Sequence, residues 1–158
     1  IALALRLRWA TDVAAGLAHV HSKGVFHCDL SCRNVLLTEQ SVVKVCDFGG
    51  AGLDENESDG VEEPRYELPL RGREWEARPY IKRDLFALGS LVYELMAWKK
   101  PFVELSDGEV EKRFHRDEFP VVSNLLCADI IQKCWNEEYE RAEDVMLALQ
   151  AAMTTQND

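Results

Sequence analysis

Apolar residues recur at helical spacing near the start of the chain, with Leu3, Leu7, Val13, Ala14, Leu17 and Val20 on one side. That period predicts an amphipathic helix over residues 3–22, with Gly24 suited to its exit. The pattern then changes. Val25-Phe26 is a short extended piece, and Val35-Leu36-Leu37 and Val42-Val43-Lys44-Val45-Cys46 are β-rich runs. The polar Thr38-Glu39-Gln40-Ser41 between them predicts a hairpin whose two ends, Asn34 and Asp47, point to one edge. From Gly50 to Pro79 no period is visible and charge is dense, the mark of a long functional or mobile loop. Helical patterning returns over residues 82–98, where Leu85, Leu88, Leu91, Val92, Leu95 and Met96 form an apolar face wide enough for burial, closed by Pro101. Ser106-Asp107 can cap a short charged helix to about Arg113, and residues 125–135 and 142–153 read as two more helices. The sum is a mainly α fold with one small β-hairpin, a single domain over 1–158.

Composition narrows the partners. A chain of 158 residues that is 47% hydrophobic can bury a substantial core. No apolar run is long enough to cross a bilayer, and Arg6 and Arg8 interrupt the apolar opening, so neither a membrane nor a signal peptide is expected. The default location is intracellular, in the cytoplasm. A net charge of −10 argues against nucleic acid as a partner. The five cysteines, at 28, 32, 46, 127 and 134, lack zinc-like pairing and read as reduced structural thiols. Asp54, Glu55, Glu57, Asp59, Glu62 and Glu63 crowd together, and Arg65, Arg71, Arg73 and Arg78 follow. Such a run is expected to be a solvated loop whose two halves partly compensate.

The chemistry concentrates in His27-Cys28-Asp29-Leu30-Ser31-Cys32-Arg33-Asn34 and, across the hairpin, Asp47-Phe48-Gly49. A carboxylate that can take a hydroxyl proton, with an amide and a second carboxylate that can hold Mg²⁺, is what phosphoryl transfer needs. These residues resemble the catalytic loop (27–34) and metal-binding turn (47–49) of the eukaryotic protein kinase family. Arg83-Asp84-Leu85-Phe86-Ala87-Leu88-Gly89 is similar to that family's D-x-W-S-x-G helix start, Lys100-Pro101-Phe102 to its G-x-x-P-F exit, and Cys134-Trp135 followed by Arg141 to its late Cys-Trp and Arg signature. The resemblance runs from about residue 3 to 153 but covers only the larger, helical lobe. No glycine-rich loop ahead of a strand and no V-A-I-K lysine precede residue 27.

What the resemblance implies is specific. Asp29 would be the catalytic base, and Asn34 and Asp47 would hold Mg²⁺ against the phosphates of ATP. Leu36, seated on Leu91 and Leu95, would form the floor under the adenine. Gly49 would permit the turn that aims Asp47 inward, and His27 and Phe48 would stack in a column linking the lobes. Asp84 would bind backbone amides of the catalytic loop. Arg141 would pair with an acid of the activation segment, residues 47–70, with Glu67 or a neighbour serving; the helical subdomain would span 82–153.

Three positions depart from the family pattern. Cys28 replaces the arginine that grips a phosphorylated loop, and Leu68-Pro69-Leu70 stands where A-P-E is expected. Ser31 replaces a lysine of serine/threonine kinases while Arg33 looks like the A-A-R-N of tyrosine kinases, so the acceptor hydroxyl stays open. The implied function is ATP- and Mg-dependent transfer to a protein hydroxyl in the complete protein, with the chain alone weakly active or inactive. Two rivals stand beside it: an inactive pseudokinase or truncated interaction module, and a small-molecule phosphotransferase of the aminoglycoside type. Apolar surface around Leu36 and Phe48, facing the absent lobe, is expected to self-associate or take a partner protein.

Overall fold

Two long helices set the frame of the computed structural model, which describes residues 1–54 and 57–155. The first, α1 (Leu3–Ser22), buries Leu7, Trp9, Ala10, Val13, Ala14 and Leu17, whereas Leu3 at its open end stays exposed. The second, α2 (Tyr80–Ala97), is enclosed on nearly every side: Leu85, Phe86, Leu88, Leu91 and Val92 have almost no accessible surface. It ends three residues ahead of Pro101, through Trp98 in a left-handed conformation (φ 56°). Arg6 from α1 explains the stop, since it donates to the carbonyls of Leu95 (3.3 Å) and Met96 (3.4 Å) and lies over the Trp98 ring.

Three shorter helices complete the body: α3 (Asp107–Phe114), α4 (Ala128–Trp135) and α5 (Ala142–Thr154). A reciprocal Ser106–Glu109 capping box starts α3. Left-handed Cys127 (φ 65°) delays α4 to Ala128, later than its apolar pattern suggests. On α2, Gly89 lets α4 come close: a Cβ there would sit 2.5 Å from Cys134 Cβ. Trp135 then donates its indole N–H to the buried Ser90 hydroxyl (2.9 Å) and stacks on Phe119.

The strands are few and short. The hairpin pairs β2 (Val35–Leu37) with β3 (Val43–Val45) in antiparallel register, Leu36 opposite Lys44. A second pair was not legible in the sequence: β1 (Val25–Phe26) pairs with β4 (Gly52–Leu53). Two residues are too few to show alternation, and the pairing exists only because the chain returns past α1.

The charged stretch after Gly50 is not one solvated loop. Glu62 is buried, and most of the arginines that follow reach into the helical body. Arg65 bonds Asp107 and three backbone carbonyls. Arg71 and Arg73 converge on Glu137, just beyond α4, at 2.6 and 2.8 Å. Glu55, a member of the acidic run, lies outside the described residues.

Burial would raise the Glu137 carboxyl, but the hydrogen bonds from Arg73 and Arg71 outweigh it and hold the group below its usual range. A depressed carboxyl contributes stability above its unfolded pKa that is lost as pH falls through the folded one. Glu137→Gln should therefore cost about 1 kcal/mol at neutral pH, solvent screening included, and less at an acidic pH below the folded value. Urea unfolding at both values checks this; an equal loss at both would remove charge from the account.

Candidate active site

One residue of α2 organises the loop that carries Asp29. Asp84, fully buried in the second turn of α2, accepts from the backbone N–H of His27 and of Cys28, each at 2.8 Å, and from His21 Nε2 at 2.7 Å. A carboxylate that takes two loop amides and a histidine ring N–H is well satisfied. Cys28 is left-handed (φ 61°), a conformation that non-glycine residues rarely hold without such support. His27 is buried with Nε2 on the Cys46 carbonyl (2.8 Å), and its ring packs against Phe48 at a centroid distance of 4.9 Å.

Asp29 and Asn34 face each other. The Asn34 amide nitrogen donates to the Asp29 carbonyl (2.8 Å) and to Asp29 Oδ2 (3.3 Å). That leaves Asp29 Oδ1 buried and without a partner among the described residues. Burial pushes the Asp29 carboxyl above its ordinary range, opposed by the Asn34 bond. An unpaired acceptor of this kind costs free energy in the resting protein and suits an incoming hydroxyl.

Asp47 arrives through the hairpin. Cys46 N–H donates to the Asn34 carbonyl (2.9 Å), so the residue after Cys46 starts beside Asn34. The turn differs from the expectation in one respect: Asp47 itself, not Gly49, takes the left-handed conformation (φ 61°). Gly49 has a negative φ, and a Cβ there would meet only Asp47 Oδ1 at 3.5 Å. Asp47 Oδ1 accepts from the Gly49 N–H, closing the turn from within.

Leu36 is 59% exposed and shares a cavity of about 300 Å³ with Leu91 and Leu95, the residues expected beneath it. Arg141 is placed elsewhere than expected. It is exposed and pairs with Glu143 and Asp144 beside it in the first turn of α5, not with Glu67 or another acid of 47–70. The tie between loop and helical body has the opposite polarity, with Arg71 and Arg73 on the loop and Glu137 beyond α4. Glu67 faces Arg78 at 3.5 Å instead.

Two residues to which motif reading gave no role lie against the site. Arg83, one position before Asp84, forms a bidentate pair with Glu62, and Tyr66 donates its hydroxyl to Glu94. Their only sequence signal was an arginine inside an otherwise apolar helix face.

Among the described residues no cluster of three or more His, Cys, Asp or Glu side chains is placed to hold a metal. The available oxygen donors are the Asn34 carboxamide and the Asp47 carboxylate. Two protein oxygens suit an ion that takes its other ligands from water and phosphate, as Mg²⁺ does.

The family model of protein tyrosine and serine/threonine kinases matches residues 1–146. The chain is 32% identical over 148 residues to the human tyrosine-protein kinase FRK, an alignment covering 87% of this chain and 29% of that protein. It is 30% identical over 146 residues to the Arabidopsis thaliana serine/threonine/tyrosine-protein kinase HT1, covering 87% of this chain and 37% of that one. Mouse serine/threonine-protein kinase Nek3 is 38% identical over 101 residues, 61% of this chain and 19% of Nek3. The chain belongs to the protein kinase family, and it spans about a third of the length of the first two relatives. No helix among the described residues is long and apolar enough to cross a membrane.

Proposed function

We propose that the protein containing this chain transfers a phosphoryl group from ATP to a hydroxyl of a protein substrate, with Mg²⁺. The observation that carries the reading is the unpartnered Asp29 Oδ1 beside Asn34, with Asp47 returned to the same edge by the hairpin. Asp29 orients the acceptor hydroxyl and receives its proton. Asn34 does two things: its amide nitrogen fixes the Asp29 carboxylate, and its oxygen is left to face a cation. Asp47 supplies the second oxygen ligand. Bound there, Mg²⁺ neutralises negative charge on the transferring phosphates. Leu36 offers an apolar floor for the adenine, and the exposed Phe48 and Leu37 beside it are covered by another part of the protein or by a partner.

The rival reading, an interaction module without catalysis, makes no use of the Asp29–Asn34–Asp47 arrangement. A nucleotide titration separates the two. In the complete protein Mg²⁺ should tighten ATP binding, and Asp47→Ala should remove about tenfold or more of that gain. Affinity that ignores Mg²⁺ in the parent protein would favour the module.

A further inference from the structure

The bidentate pair Arg83–Glu62 is among the most enclosed charge pairs in the molecule, with side-chain exposures of 5% and 0%. Arg83 Nε and Nη2 each donate to a Glu62 carboxylate oxygen at 2.9 Å. Nη2 also donates to the Gly60 carbonyl (2.9 Å) and toward the Cys28 carbonyl (3.4 Å). One guanidinium from α2 therefore touches the segment around residue 60 and the catalytic loop at once. Burial acts to raise the Glu62 carboxyl and Arg83 acts against it, so each charge depends on the other.

The segment is pressed flat between the two loops that carry the site. A Cβ on Gly60 would lie 2.7 Å from the Cys28 carbonyl oxygen and 2.9 Å from Cys28 Cβ. On the other side, Gly60 N–H and the Ser58 hydroxyl donate to the Gly50 carbonyl, at 2.9 and 2.6 Å. Gly50 follows the Asp47 turn directly. Ser58 N–H donates to the Tyr80 hydroxyl, so the strap is also moored to the start of α2. Residues 58–62 thus bridge the loop bearing Asp29 and the turn bearing Asp47.

We infer that Arg83 and Glu62 are positioning residues for phosphoryl transfer: their pair holds the 58–62 strap across the catalytic loop and the metal-binding turn and sets the spacing of Asp29 and Asp47. The Cys28 side chain cannot grip an anion, and Arg83 stands behind it with a fixed positive charge. The kinetic part of this inference rests on the function proposed above, while its structural part does not.

The test uses Glu62→Gln, Arg83→Met and the neutral double variant Glu62→Leu/Arg83→Met, read by amide hydrogen exchange and by steady-state kinetics of the complete protein. Each single variant should speed exchange at Ser58, Gly60 and Cys28 by about tenfold or more. Each should lower kcat about 100-fold while KM for ATP moves less than about threefold, because misplacement of reacting groups falls on the chemical step. The double variant removes both buried charges, so it should regain thermal stability without regaining exchange protection or kcat. Protection unchanged in folded single variants overturns the inference. So does a double variant that recovers turnover together with stability, since that is the signature of a pair that only holds the fold. If the single variants fail to fold, the double variant alone decides. A parent protein without phosphoryl transfer would refute the proposed function, and exchange would still decide the strap.

Discussion

Asp29→Asn should lower phosphoryl-transfer turnover of the complete protein by about 10²- to 10⁴-fold while Mg-dependent ATP affinity changes less than about twofold. Asparagine has the same shape and keeps an oxygen for the Asn34 amide, so the loop need not move. What disappears is the basic carboxylate, whose Oδ1 is buried and without a partner among the described residues. The two residues proposed to hold the cation, Asn34 and Asp47, are untouched. A single-turnover assay beside an ATP titration resolves the two quantities. Equal turnover in variant and parent would remove Asp29 from its role and leave the pocket without a base.

Asp84→Ala should cost about 3–5 kcal/mol of stability, a large share of what a domain of this size possesses. The loss is large because the carboxylate serves three donors in a site without water access: the His27 and Cys28 amides and His21. Removing it strands two buried N–H groups and lets left-handed Cys28 relax. Asp84→Asn, which keeps one acceptor oxygen, should cost about half as much. Chemical denaturation measures both. A loss below about 1 kcal/mol for the alanine variant would mean that the loop stands without α2.

These two residues also mark how far the sequence could be read. The helices α1 and α2 were legible because each buries a broad apolar face, and periodicity reports faces. The hairpin was legible because a polar turn separates two β-branched runs. The closeness of Asp29 and Asn34 was legible as spacing, since a short loop keeps two side chains five positions apart within reach of each other. Other features depend on contacts between distant residues and leave no local trace. The two-residue strand β4 is one, and Arg83–Glu62 is another, hidden because nothing local links an arginine to an acid 21 residues away. The left-handed turn also fell to Asp47 where a glycine two residues later was the natural choice. The Arg141 position looked like an ion-pair site in sequence, but its nearest acids are its own neighbours, and short reach wins over a distant partner.

The clasp at Glu137 gives the family's drift a direction. One acid answers two arginines, so either arginine can mutate while the other keeps the carboxylate paired. If the acid mutates first, Arg71 keeps Asp117 at 2.8 Å, whereas Arg73 is left with backbone carbonyls alone. Accepted changes at 73 should thus precede any change at 137, and descendants that have lost the glutamate should already have shed the Arg73 guanidinium.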